Sequence, residues 1–387
     1  MQKRKEPIKR GMVRLLGNER YQGISVPLFA IVLSLLAGAV VILFLGKNPL
    51  EAYQNLLQGS GLLPKATYAG YKSMLTDFTS FMNAWTPMLF ASLAVAVALK
   101  AGLFNIGVSG QMLIAGFVTS VVVGYSSLGA PVAKPLVLIF GIVIGGLVGG
   151  LIGWLKHRFN INEVVSSIMI NYIGQYVISF FINTYYVNPV SRQSNAISKE
   201  ARLTLMDVPM GNLKVDIPLG ILLAILTAFL IRFLINRTTF GYELKCVGAS
   251  RKAARYAGIQ VGRNMVLAMV LSGALAGVAG VTYYLGYFGS IQPKVLPSTG
   301  FDGIAVSLLA NSNPVGIIFS SFLVTVIDKG STYMNSASGL ESEISSVITG
   351  IILLFSACGM FIRYKVKCWK DKLEAEGGKM IDGSDCN

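Results

Sequence analysis

Asn171 and Gln175 stand four residues apart in an otherwise apolar stretch, with Ser167 one turn earlier on the same helical face. Aligned amides and hydroxyls are neutral donors and acceptors. They suit an uncharged polar solute or a hydrogen bond to a neighbouring helix, and they do not suit lipid. Asn105 and Asp302 open two similar stretches, Phe104-Asn105-Ile106-Gly107-Val108-Ser109 and Phe301-Asp302-Gly303-Ile304-Ala305-Val306-Ser307. Their short side chains read as caps for the free N–H groups of the turn that follows. Asp302 is the one acid placed inside an apolar span, where a charge is costly unless solvated, paired or capped. With Ser109, Gln111, Ser307 and Asn311, these residues form a candidate polar lining for a pathway.

Bond-making chemistry has no comparable foothold. The single histidine, His157, lies in a basic KHRFN turn, and no Ser/His/Asp or paired-carboxylate arrangement accompanies it. Cys246, Cys358, Cys368 and Cys386 lack the spacing of a disulfide framework or a metal site. No G-x-x-x-x-G-K-[ST] sequence occurs, so the chain has no P-loop to cradle nucleotide phosphates. The expectation is a non-enzyme that binds no cofactor and takes its energy from elsewhere.

A second constellation is electrostatic. Residues 236–263 carry Arg237, Lys245, Arg251, Lys252, Arg255 and Arg263 against one acid, Glu243. A short loop so basic stays on the cytoplasmic side of a membrane. Gly241, Gly248 and Gly258 punctuate it, and the run between the last two predicts a short helix. The small face of Gly248, Ala253, Ala254 and Gly258, with Arg251 beside it, is expected to enter a groove on a cytosolic partner. The plainer alternative is a charged connector that only fixes orientation.

The elements that must position these groups follow from composition. The chain is 53% hydrophobic and 13% charged, with 42 glycines and a mean hydropathy of +0.62. Ile24–Leu45, Ala101–Ala133, Pro135–Leu155 and Val164–Ser191 contain no charge at all, and each is long enough to cross ~30 Å of hydrocarbon. The class is therefore an all-α polytopic membrane protein. About ten segments are expected, near 24–45, 85–100, 107–126, 135–155, 163–186, 217–235, 264–286, 301–310, 314–328 and 343–361. The eighth is too short to span and runs into Asn311–Pro314, which predicts a broken or re-entrant helix.

The net charge of +15 is sorted by side rather than striped, which argues against nucleic acid. Basic residues concentrate in 1–22, beside His157, in 236–263 and after Phe361, all on one side if both termini are cytoplasmic. The exterior loops are then 46–84, 187–216, 287–300 and 329–342. The expected organisation is a basic cytoplasmic N-terminus (1–23), a transmembrane domain (24–362) and a polar cytoplasmic tail (363–387). The apolar run reaches Leu45, longer than the core of a signal peptide, and reads as an uncleaved first helix.

Two patterns describe packing. The Phe104 and Phe301 stretches start on opposite sides of the membrane in this topology, the relation expected of inverted repeats with interrupted helices. Gly141, Gly145, Gly149 and Gly153 recur every fourth residue, as do Gly273 and Gly277, so two helix backbones are expected to approach closely there. Tyr185, Tyr186, Tyr283, Tyr284 and Tyr287 read as an outer interfacial belt.

Three stretches then carry a family resemblance: GLFNIGVSGQMLIAGF (102–117), GYELKCVGASRKAARYAGI (241–259) and GFDGIAVSLLANSNPVGI (300–317). Together they resemble the membrane permeases of bacterial ABC importers in the branched-chain amino acid, ribose and nucleoside superfamily. The longer permease of the nucleoside importers is the nearest likeness, and it runs from about residue 24 to 362. Ser109 departs from the commoner family form, in which Ala or a similar residue stands there. The resemblance implies that 241–259 is a coupling helix on a separate ATPase subunit that uses ATP. It also implies a second permease, as a heterodimer, a substrate-loaded extracellular or periplasmic binding (lipo)protein, and a bacterial cell membrane. A ribose-type sugar is the alternative substrate. An ion-gradient carrier is less well matched, because intramembrane carboxylates are scarce.

Overall fold

The computed structural model describes residues 22–357, apart from 69, 211–212, 340 and 342, together with 364–369. The charge-rich ends, 1–21 and 370–387, lie outside the described residues, as does the expected basic N-terminus. Where one transmembrane domain was expected over 24–362, the chain divides into two units by its contacts. One unit is Met1–Pro49 with Glu343–Asn387, and the other is Leu50–Ser342. In the first, α1 (Gln22–Phe44) packs on α13 (Glu343–Ala357), so the two ends of the chain make their own helix pair.

The second unit holds the residues singled out above. In order it contains α2 (Pro49–Gly59), α3 (Met74–Lys100), α4 (Val108–Thr119), α5 (Ala130–Phe159) and α6 (Glu163–Phe181). A hairpin β1 (Thr204–Met210) and β2 (Leu213–Pro218) follows, then α7 (Gly220–Arg237), α8 (Thr239–Ala249) and α9 (Arg251–Tyr256). The unit closes with α10 (Val261–Val281), α11 (Thr299–Leu309) and α12 (Pro314–Ser338). α4, α6 and α10 each finish in a π-helical turn, at Ser120–Gly124, Ile182–Tyr186 and Thr282–Phe288.

Among the described residues, six helices are long and apolar enough to cross a membrane, or seven if Ile31–Phe44 and Pro49–Gly59 form one broken span. The expected figure of about ten membrane segments, one of them too short to span, is therefore not confirmed. Two of the ten segments, 107–126 and 301–310, fold as the shorter apolar helices Val108–Gly124 and Thr299–Leu309. Hydropathy registers burial in protein as readily as burial in lipid, and α4 is apolar because protein surrounds it. The expected break at Asn311–Pro314 is present: Asn311 and Ser312 adopt left-handed backbone, Asn313 caps α12, and Pro314 is its first residue.

The loops differ more. Residues 46–84, expected as an exterior loop, contain α2 and the first turns of α3. Residues 187–216 hold the antiparallel hairpin, with Val208 paired to Val215. Residues 329–338, expected in an exterior loop, continue α12, so Asp328 joins Asp302 as an acid inside an apolar helix.

α10 is the hub, packed on α3, α4 and α5. A Cβ on Gly145 would stand 2.6 Å from the Gly277 Cα, and one on Gly149 would stand 2.8 Å from the Gly273 Cα. Only glycine on both helices allows that separation, so dispersion between backbones holds the α5–α10 pair. The predicted seam is real, and it continues at Gly280, where a Cβ would lie 2.7 Å from the Met112 Cα of α4.

Candidate functional site

Asn105, Gln111, Ser109, Asn171 and Ser307 are all buried, and four of them meet around the start of α4. Asn105 Nδ2 donates to Gln111 Oε1 at 3.0 Å and to Ser272 Oγ at 2.9 Å, while Ser272 Oγ donates to the Ala94 carbonyl at 2.7 Å. Asn105 Oδ1 accepts from the Gly107 N–H at 3.0 Å, a local turn just ahead of the helix, whose cap residue is Gly107. Asn171 reaches across from α6: its Oδ1 accepts from the Gly110 N–H at 2.8 Å, and its Nδ2 donates to the Ile106 carbonyl at 3.1 Å. A helix that begins inside protein leaves its first N–H groups without partners, and these amides satisfy them. The network is what a mid-protein helix start requires.

The two similar stretches meet at this point. Ser109 Oγ donates to the Pro297 carbonyl at 2.9 Å, and Gly300 lies directly on the Ser109 backbone. Ser298, not Asp302, is the cap residue of α11; Asp302 sits on its first turn and is half-buried. The capping role expected of Asp302 is therefore corrected: the helix starts four residues earlier than the residue pattern suggests. Gln175 is half-buried and donates to the Lys294 carbonyl at 2.6 Å, and Asn311 is exposed in the α11–α12 turn. The Ser307 hydroxyl finds no partner among the described residues. Of the eight expected lining groups, only Gln175, Asp302 and Asn311 are reachable from outside the chain.

On the basic segment 236–263, Ser250 caps α9 by accepting from the Ala253 N–H at 3.3 Å, and Gly258 ends it at φ +80°. Of the expected docking face, Gly248, Ala253 and Gly258 are exposed and Ala254 alone turns inward. Ala254 points into the chain's own core with Leu103, Leu244, Val247 and Met265. A Cβ on Gly248 would lie 3.1 Å from the Gly102 nitrogen, and Gly241 packs on the Ile235 carbonyl. Sequence spacing gives one small face and cannot say which way it turns. The outward groups are Arg251, Lys252, Ala253, Arg255 and Tyr256, the last 94% exposed. Arg251 Nη2 also donates to the Gly102 carbonyl at 3.1 Å, and Glu243 accepts from Asn264 Nδ2 at 2.8 Å. The segment is thereby fastened to the end of α3 and the start of α10.

The loop before the hairpin carries groups that spacing did not reveal. Arg202, in the loop before β1, donates to the Gly286 and Tyr287 carbonyls at 3.0 and 3.3 Å. Burial pulls its pKa below the usual arginine value, with the charge of Asp216 opposing. Leu203 N–H to the Leu285 carbonyl (3.1 Å) and Ile197 N–H to the Gly289 carbonyl (3.1 Å) stitch the same loop to the end of α10. Tyr284, expected in a surface belt, is buried against Gly116, whereas Tyr185 is exposed as expected.

The family described as branched-chain amino acid transport system / permease component matches residues 78–357. The chain belongs to this family. It is 35% identical to the guanosine ABC transporter permease protein NupP of Bacillus subtilis, over 92% of this chain and 99% of that one. It is 34% identical to the nucleoside ABC transporter permease protein NupB of Lactococcus lactis subsp. cremoris, over 89% and 93% of the two chains. A glucose ABC transporter permease protein, TsgB13 of Haloferax volcanii, is 26% identical over 88% and 89%. The matched region runs from within α3 to the end of α13 and so contains both short apolar helices and the basic segment 236–263.

Proposed function

We propose that this permease forms the membrane pathway of a binding-protein-dependent ABC importer for nucleosides, energised by a separate ATPase subunit. The observation that carries the substrate is the near full-length similarity, at 34–35% identity, to permeases named for guanosine and nucleosides. The chain itself binds no cofactor and holds no ATPase site in this reading; ATP is consumed by the partner. The membrane is the bacterial cell membrane, with both termini in the cytoplasm. A second homologous permease pairs with this one as a heterodimer, and an extracellular or periplasmic binding (lipo)protein delivers solute to the side bearing the hairpin.

The geometry supports a mechanical route. The ATPase would bear on Arg251, Lys252, Arg255 and Tyr256, while Ala254, Gly248 and Glu243 fix the segment to α3 and α10. Packing this close passes motion on as rigid-body displacement rather than absorbing it. α10 in turn touches α4 and α5, so movement of α9 would reach the helix start at Ser109. The roles expected of Asn105, Ser109, Gln111 and Asn171 then become the holding of that start, with Gln175, Asp302 and Asn311 nearer the solute.

The glucose permease among the relatives keeps a sugar as the second reading. Reconstitution of the importer with binding protein loaded with nucleoside, sugar or branched-chain amino acid separates them. Nucleoside-loaded protein should stimulate ATP hydrolysis and solute uptake; stimulation by sugar alone would overturn the nucleoside assignment.

A further inference from the structure

Asp302 is the only charged residue of α11, and Asp328 and Lys329 are the only ones of α12. The helices lie side by side, with Ser320 Oγ donating to the Val306 carbonyl at 3.0 Å. Asp302 and Asp328 are electrostatic neighbours of each other and of the Tyr283 hydroxyl at the end of α10. Lys329 Nζ donates to the Tyr287 hydroxyl at 2.6 Å. The Phe288 ring lies 4.8 Å from that of Tyr283 and 4.7 Å from that of Tyr287, and Phe288 is 54% exposed. These groups thus form an aromatic-floored corner beside the Arg202 loop.

Two facts say that this corner does not face lipid. Asp328 is exposed and Asp302 half-buried, and among the described residues neither carboxylate makes an ion pair. A charge facing hydrocarbon costs up to roughly 2.5–3.5 kcal/mol at the centre of a span, so Asp302 on the first turn of α11 and Asp328 and Lys329 within α12 call for water, a polar partner or a polar ligand. The chemistry on offer is specific. Carboxylates accept short, charge-assisted bonds from hydroxyl groups, and two carboxylates on one corner can each take one. Aromatic rings offer stacking worth ~1–3 kcal/mol to any nucleobase. The same carboxylates repel a phosphorylated solute.

We propose that Asp302, Asp328, Tyr287 and Phe288 form a transient ribonucleoside subsite, the carboxylates reading the vicinal 2′- and 3′-hydroxyls and the rings carrying the base. This rests on the nucleoside reading and adds to it which atoms are recognised and where. A weak site suffices, because a binding protein has already selected the solute.

The test uses the assembled importer in proteoliposomes, with a ribonucleoside and its 2′-deoxy counterpart supplied on saturating binding protein. Uptake is compared between the wild type, Asp302→Asn, Asp328→Asn and Phe288→Leu, with assembly followed by pull-down of the ATPase. Selectivity of the binding protein is common to all and cancels in the ratio of the two solutes. The Asn variant of the carboxylate that reads the 2′-hydroxyl should lose ribonucleoside uptake by about 5- to 100-fold, move the deoxynucleoside nearly as before and so flatten the ratio, while the other, facing the 3′-hydroxyl that both solutes keep, should slow both. Phe288→Leu should slow both solutes equally. An unchanged ratio in both Asn variants overturns the subsite while leaving nucleoside import intact. Failure of those variants to assemble overturns it too, by assigning the carboxylates to helix packing. A wild type that moves no nucleoside overturns the nucleoside reading itself, a result that the ratio cannot mimic.

Discussion

Gly300 rests on Ser109, so the first turns of two short apolar helices, far apart in sequence, are in backbone contact. A Cβ on Gly300 would lie 2.6 Å from the Ser109 nitrogen and 2.8 Å from its Cα, and backbone atoms cannot rotate away. Gly300→Ala should therefore cost about 1–3 kcal/mol as overpacking, and Gly300→Val should prevent stable folding. Ser109→Ala removes only the bond to the Pro297 carbonyl and should cost ~0.5–1.5 kcal/mol. Thermal melting of the purified permease in detergent orders the three variants.

Asn171→Leu strands the buried Gly110 N–H and Ile106 carbonyl together. At ~1–3 kcal/mol for each orphaned group, the expected result is loss of stability and of assembly, with uptake falling as a consequence. Gln175→Leu, at a half-buried position with one bond, should leave assembly intact. Pull-down of the ATPase alongside uptake distinguishes the two; equal behaviour would show that the amides act as one unit.

Ala254→Glu places a carboxylate in a closed apolar cluster. The cost of an unpaired buried charge, several kcal/mol, should appear as poor membrane yield rather than as a well-folded, uncoupled permease. Tyr256→Ala should do the reverse, since a 94% exposed ring contributes little to the fold of this chain. Normal yield with lost ATPase stimulation is the expected outcome. Normal stimulation would remove Tyr256 from the docking surface.

Arg202→Met keeps bulk but withdraws both bonds to the end of α10. Charged hydrogen bonds of this kind are worth roughly 1.5–3 kcal/mol each, so the outer loop should loosen. Faster amide exchange at residues 285–289, against unchanged exchange in α5, is the expected signature; uniform protection would show that the backbone bonds of Ile197 and Leu203 suffice.

Much of this protein is legible without coordinates, because the bilayer imposes simple rules. Charge-free runs, side-sorted arginines and lysines, and four-residue glycine spacing depend only on local sequence. They gave the membrane class, the short helix of the basic segment and the α5–α10 seam. Asn311–Pro314 announced its own break, since proline starts a helix readily and cannot continue one. Direction was not local. Ala254 and Gly248 lie on the small face that spacing suggests, but whether that face meets the partner or the chain's own α3 depends on a contact between residues about 150 apart. The same holds for Asn105 and Asn171, whose amides look identical whether they line a pathway or satisfy a buried helix start. Tertiary structure decided for the latter, because α4 begins inside protein and its N–H groups need partners there. It also brought Asp302 beside Asp328, on a helix that hydropathy had ended at the very residue that matters. Apolar pattern measures what a segment avoids; only packing fixes which polar groups are left facing one another.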